Sequence, residues 1–183
     1  MMVPTLGLGA PAPDFDLPGV DNRRYSLSSF ASKPVLVVIF SCNHCPYVKD
    51  YEARMVSIQR DYARKGVQFV AINSNDDKEY PEDSFPEMVK RASARGFNFP
   101  YLRDETQDVV GAYGGVCTPH AFAFDSKRLL RYRGRIDDSR DPSKVATNDL
   151  RNALDDLLAG RDVRTPDTKP FGCSIKWYSL KPA

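Results

Sequence analysis

The segment Val35-Leu36-Val37-Val38-Ile39-Phe40 limits the possible fold more than any other part of the chain. Its continuous apolar run, rich in β-branched side chains, offers water no polar face, so the strand it predicts must be covered on both sides. The residues after it change period. Tyr47, Val48, Tyr51, Met55, Ile58 and Tyr62 recur at spacings of one, three and four, which is one face of a helix, and Gly66 supplies the stop. Residues 67–72 form a second buried-strand run. Strand, helix and strand in this order make a right-handed parallel βαβ unit.

The rest of the chain extends that unit. Short apolar pieces at Phe15, Leu17, Tyr25 and Leu27, set among Pro, Gly, Asp and Ser, predict an N-terminal β-hairpin. An acidic loop over 76–83 leads to Ser84 and Glu87, a capping box with Pro86 in the first turn, and to a helix running to about Gly96. Residues 99–102 predict a short strand and 106–113 a helix, ended by Gly114-Gly115. Residues 121–124 and 129–133 predict strands that pair antiparallel around Ser126-Lys127. Leu150, Ala153, Leu154, Leu157 and Leu158 line a last helix closed by Gly160, and the tail, 161–183, folds back to bury Trp177. A parallel βαβ unit, then an antiparallel hairpin and a final helix, is the thioredoxin arrangement. The expected fold is therefore α/β, a thioredoxin-like three-layer α/β/α structure around a mixed sheet, with an N-terminal hairpin extension and a helical insertion after the second core strand. A length of 183 residues suits one domain spanning 1–183.

Charge excludes some functions. The 26 Lys and Arg are interspersed with 24 Asp and Glu, giving a net charge of +2, which is not the footprint of a nucleic-acid binder. No run approaches the ~20 apolar residues of a membrane span. Residues 1–18 show neither a basic n-region nor an apolar h-region, so the expected location is cytoplasmic. Four cysteines are too few for a disulfide scaffold, and in a reducing compartment paired cysteines more often serve catalysis or metal binding.

Two of them stand in Cys42-Asn43-His44-Cys45, at the carboxyl end of the first central strand, where open α/β sheets place their sites. Thiols two residues apart at a helix start make a reversible dithiol. A cysteine with its ordinary pKa of about 8.5 is mostly protonated at neutrality, but unpaired N–H groups at a helix N-terminus favour the anion. With Ser41 as the cap, Cys42 is expected to be the exposed attacker and Cys45, one turn in, the buried resolver. Asn43 and His44 are the expected tuners of the thiolate. A stabilised thiolate makes the disulfide more oxidising, and DsbA (about −120 mV, against about −270 mV for thioredoxin) also has His in that place. A potential above that of thioredoxin follows. The reactive group is the disulfide itself, with no separate cofactor and no metal. The competing reading is half of a zinc site, but Cys117, Cys173 and His120 supply no second CxxC or CxxH pair.

Cys117-Thr118-Pro119 falls just before a strand. In a thioredoxin-like fold this loop faces the dithiol with Pro119 cis, and the Thr118 backbone offers strand-like hydrogen bonds to an extended substrate. Cys117 is either a third thiol or small buried filler. Cys173 either resolves or relays. His120 reads as a strand residue, and Asp50 and Glu52 as a solvated helix face.

These residues resemble the thioredoxin-like superfamily and, within it, the peroxiredoxin-like AhpC/TSA branch. The stretch Ala10-Pro11-Ala12-Pro13-Asp14-Phe15-Asp16-Leu17-Pro18 is similar to that branch's opening, and Cys42-Asn43-His44-Cys45-Pro46-Tyr47-Val48-Lys49 to the signature of a group of bacterial thioredoxin-family proteins. Residues 71–76, 99–107, Thr118-Pro119 and 172–177 extend the likeness over nearly the whole chain. The resemblance implies a thiol–disulfide oxidoreductase of cell redox homeostasis. Its expected partners are protein or small-molecule thiols, disulfides or hydroperoxides, and its expected state is a monomer or homodimer. One alternative is an antioxidant thiol peroxidase; a second is a metal-binding or metallochaperone module using Cys42, Cys45 and His44. There are departures. If Cys45 takes the place of a typical peroxiredoxin's peroxidatic cysteine, Val38 and Cys42 fall where that family carries Pro and Thr. Ser41 and Asn43-His44 replace thioredoxin's Trp and Gly-Pro. The first core strand also lacks thioredoxin's buried Asp, so no base for Cys45 is visible.

Overall fold

A computed structural model describes residues 4–179. The chain opens with β1 (Asp16–Pro18) and β2 (Arg24–Ser26), an antiparallel hairpin with Leu17 opposite Tyr25. Then come β3 (Val35–Phe40), α1 (Pro46–Tyr62) and β4 (Val67–Asn73). β3 and β4 run parallel, from Val35 opposite Val67 to Phe40 opposite Ile72, so the expected βαβ unit is present. Gly66 joins helix to strand at φ 93°, a left-handed conformation that costs glycine little. α2 (Phe85–Ala94), β5 (Tyr101–Arg103), α3 (Asp108–Tyr113), β6 (Cys117–Thr118), β7 (His120–Phe124), β8 (Leu130–Gly134), α4 (Asp149–Leu158) and β9 (Cys173–Ser174) complete the order.

The main sheet has the order β5-β4-β3-β7-β8, with β3 central, parallel to β4 and antiparallel to β7. Alternation along β3 sends its side chains to opposite faces. Val35, Val37 and Ile39 pack with Tyr51, Met55, Met88 and Leu154 of α1, α2 and α4. Leu36, Val38 and Phe40 pack with Val109, Val110 and Tyr113 of α3 and with Phe15 and Leu17 of the hairpin. Burying β3 completely between two apolar layers follows directly from its composition. No helix among the described residues is long and apolar enough to cross a membrane.

Three expectations are corrected. Ser84 is the N-cap of α2, but its side chain makes no capping hydrogen bond; Pro86 has removed one of the first-turn N–H groups it would serve. Glu52 is not solvated. α2 covers it, and it is buried against Arg91 and Arg95, whereas Asp50 does lie exposed. Trp177 is 48% exposed. The tail does fold back, but the residue it buries is Ile175. Beyond it, Lys176 exchanges backbone hydrogen bonds with the Asn75 side chain and the Asp76 N–H, which leaves the indole outside.

Candidate active site

β3 is extended one residue by Ser41, whose N–H donates to Ile72 O at 2.9 Å. The helix does not start there. Pro46 occupies its first turn and Cys45, extended at φ −67° and ψ 123°, is the N-cap. Sequence dictates this: a residue before proline is driven out of the helical region, and proline itself suits the first helical position. The expected cap, Ser41, is therefore displaced to Cys45, and Cys42 lies on the turn before the helix.

Both sulfurs are buried, Cys42 at 2% exposure and Cys45 at none, so the expected exposed attacker is itself covered. All four cysteines are free thiols. As N-cap, Cys45 makes no side-chain capping hydrogen bond, but its sulfur lies beside the first turn of α1 and the Val48 backbone. The Cys42 and Cys173 thiols neighbour the same sulfur. Led by the Cys42 thiol, these neighbours outweigh burial and pull Cys45 down to about 4. Burial pushes Cys42 well up, and the neighbouring Cys45 sulfur and Asp83 carboxylate add to it. The anion thus rests on Cys45, beside the Cys42 thiol that lowers it most, the reverse of the expected order. Thr118 Oγ1 lies 3.2 Å from Cys42 Sγ, and Thr118 O is 3.5 Å from Cys45 Sγ. The Thr118–Pro119 peptide is cis, as expected.

The residue sequence reading missed is Asp83. Fully buried at the end of the inserted loop, its carboxylate accepts the Asn43 N–H at 2.6 Å, Asn73 Nδ2 at 3.2 Å and Asn75 Nδ2 at 3.0 Å, and it meets His44 Nδ1. His44 therefore turns toward Asp83 and stacks on Tyr80, ring centroids 5.0 Å apart. Asn43 is held at its side chain too, donating to Glu82 O at 2.8 Å and accepting from Tyr101 Oη at 2.8 Å. Tyr101, fully buried, is held protonated by burial. Only the position of Asp83 just ahead of a helix start marked it in the sequence, and many surface loops share that feature.

Donor atoms of Cys42, His44 and Asp83 lie within 4.8 Å of one another. A metal would have to compete for both Asp83 oxygens with the Asn43, Asn73, Asn75 and His44 donors. The set also differs from the Cys42, Cys45 and His44 trio expected for a metal site.

The other sequence-marked groups divide. Cys117 is buried, and burial pushes it up to about 12. His120 opens β7, and burial pushes it down to about 4, with Nδ1 accepting the Val116 N–H at 3.3 Å. Cys173 is half-buried against the cluster of Cys42, Cys45 and Val48. Burial and the neighbouring Cys45 sulfur push it up to about 11. The edge of Thr118 is not open to an extended substrate, because β9 pairs with it, Thr118 opposite Cys173 and Cys117 opposite Ser174.

Comparison with known proteins gives the family and the fold. The AhpC/TSA family is matched over residues 8–133. The thiol-disulfide oxidoreductase ResA of Geobacillus thermodenitrificans is 28% identical over 128 residues, 69% of this chain and 68% of that protein. A crystal structure of a hypothetical protein from Sinorhizobium meliloti 1021 superposes with a TM-score of 0.92 at 39% identity, covering 97% of this chain and 98% of that one. An uncharacterized conserved protein from Geobacillus kaustophilus gives 0.89 at 46% identity, covering 97% and 94%.

Proposed function

Because the chain belongs to the AhpC/TSA family of thioredoxin-like oxidoreductases, we propose that it is a thiol–disulfide oxidoreductase of cell redox homeostasis whose working group is the Cys42–Cys45 pair. One observation carries the reading: Cys45 sits at the N-cap of α1 and packs with Cys42 in one buried cluster, where the neighbouring thiol lowers its pKa. In the oxidised protein an incoming thiolate attacks Cys42 Sγ, and Cys45 leaves as a stabilised anion, which speeds the step. In the reductive direction Cys42, its proton passed to the adjacent Cys45 thiolate, attacks a substrate disulfide and expels one substrate thiolate, which takes that proton from Cys45. The Cys45 thiolate then attacks Cys42 Sγ, expels the second substrate thiolate and leaves the protein oxidised. His44 acts by fixing the turn through Asp83. Substrates are protein or small-molecule disulfides and thiols, and the reading places the chain in the cytoplasm.

Stabilising the anion stabilises the reduced form. A glutathione-equilibrium titration is expected to give a potential above that of thioredoxin, about −270 mV. A value at or below thioredoxin's refutes the reading.

The thiol peroxidase reading, in which Cys45 takes the place of a peroxidatic cysteine, draws support from the low pKa of Cys45. Against it stand Val38 and Cys42 where Pro and Thr would orient a peroxide, and the complete burial of Cys45. Stopped-flow oxidation by hydrogen peroxide decides: a peroxidase reacts orders of magnitude faster than an ordinary acidic thiol.

A further inference from the structure

The C-terminal tail pairs with the Thr118 loop, the edge expected to take an extended substrate. β9 adds to β6 as an antiparallel strand, the mode by which an extended peptide joins an exposed edge. The approach is close. A Cβ on Gly172 would lie 2.1 Å from Thr118 O, so only glycine lets the tail reach this loop. Lys176 then ties the tail to Asn75 and Asp76, and Gln107 Nε2 donates to Lys176 O at 2.9 Å. The result is a third thiol, Cys173, packed against the cluster of Cys42, Cys45 and Val48. Of the three, Cys173 is the one that reaches the surface.

From this juxtaposition we propose that Cys173 is a third redox-active cysteine, which exchanges with the Cys42–Cys45 disulfide to form a Cys45–Cys173 disulfide and carries the oxidised bond outward to external thiols. The inference rests on the dithiol reading above. In the exchange the Cys173 thiolate attacks Cys45 Sγ. The Cys45–Cys173 bond forms and the Cys42–Cys45 bond breaks. Cys42 leaves with the electron pair and takes up the proton that Cys173 released, so the protein's oxidation level is unchanged. An external thiolate then attacks Cys173 Sγ and expels Cys45 as its anion. A second external thiol cleaves the mixed disulfide, so two external thiols are oxidised to one disulfide and the protein returns to its reduced state. The buried pair need not be reached directly, and the external class is a thiol that can approach a half-buried sulfur.

The test is disulfide mapping by mass spectrometry on the full chain. Cys42→Ser is oxidised with diamide, a thiol oxidant, alkylated and digested. The expected product is an intrachain link between the Cys45 and Cys173 peptides. Finding Cys45 and Cys173 both alkylated, or Cys45 linked to Cys117 or to a second chain, overturns the proposal. Cys42→Ala gives the same readout should the serine variant fail to fold. Wild-type protein mapped in parallel tests the underlying reading separately: loss of the Cys42–Cys45 link there counts against the dithiol and not against the Cys45–Cys173 contact.

Discussion

The Asp83 carboxylate accepts the backbone N–H of Asn43 at 2.6 Å across 40 residues of sequence. A loop inserted after the second core strand thereby holds the middle of the turn that carries both reactive sulfurs. The same carboxylate stands beside Cys42 and disfavours its ionisation. Position and charge are thus coupled at one residue, which neither reactive segment contains.

Asp83→Asn separates these roles. It removes the charge that helps raise Cys42 and replaces one acceptor oxygen by an NH2 facing donors. The Cys42 thiol is expected to become more acidic. Stability measured by urea unfolding is expected to fall by about 1–3 kcal/mol, the cost of leaving buried polar groups unsatisfied. Unchanged thiol titration together with unchanged stability would show that the network does neither job.

The acidity of Cys45 sets a pH dependence with a definite sign. Its folded value, about 4, lies below the value of about 8.5 for an unfolded cysteine. Between these values the unfolded chain holds a proton that the folded chain lacks, so stability of the reduced protein rises with pH across that window. The contribution is complete above the unfolded value and is lost as pH falls toward about 4. The disulfide form lacks this group, so the difference between reduced and oxidised stability is expected to grow with pH. Cys42→Ala removes the thiol that lowers Cys45 most and is expected to move its transition upward. Denaturant unfolding of both forms against pH, with thiolate ultraviolet absorbance, measures each shift. A reduced-minus-oxidised difference that stays flat over the window excludes a low Cys45 value.

Much of this was legible because it depends on local pattern. The continuous apolar run Val35–Phe40, the period of 3.6 from Tyr47 to Tyr62 and the Gly66 stop specify the βαβ unit, and the CxxC spacing places two thiols at its turn. The order of acidity was not read from this pattern, although a local signal existed: Pro46 forces Cys45 to be extended and makes it the cap. Asp83, Asn73, Asn75 and Tyr101 carried no such signal. Their roles arise from long-range packing of a polar loop, and a buried carboxylate looks like a solvated one until its donors are in place. Trp177 misled in the other sense, since large apolar residues are usually buried but backbone ties at Lys176 hold this one out.

His120 gives an independent check on the cis-proline loop. Burial pushes it down to about 4, while Nδ1 accepts the Val116 N–H. Its folded value lies below the unfolded value of about 6.5, so it adds to the loss of stability as pH falls through that range. Nitrogen NMR of the imidazoles is expected to show one of the chain's two histidines neutral at pH values well below the ordinary midpoint, with the proton on Nε2. A His120 that titrates near the ordinary value would mean the loop is wetter than its packing implies.

Gly172 controls whether the tail and the dithiol communicate. A valine there would force its Cβ to within 2.1 Å of Thr118 O and 2.7 Å of Thr118 C, backbone atoms that cannot rotate away. The strand pairing between Cys173 and Thr118 must then open, and Cys173 moves off Cys45. Trp177 is the chain's single tryptophan and lies four residues beyond Cys173, so its emission reports the tail. Gly172→Val is expected to shift that emission toward longer wavelength. In the Cys42→Ser background it is expected to reduce formation of the Cys45–Cys173 link about tenfold or more, since exchange requires the sulfurs in contact. Losing the neighbouring Cys173 thiol is also expected to raise the Cys45 value. A Gly172→Val protein with unaltered tryptophan emission and an undiminished link would show that the tail reaches the dithiol by a path other than the β6–β9 pairing.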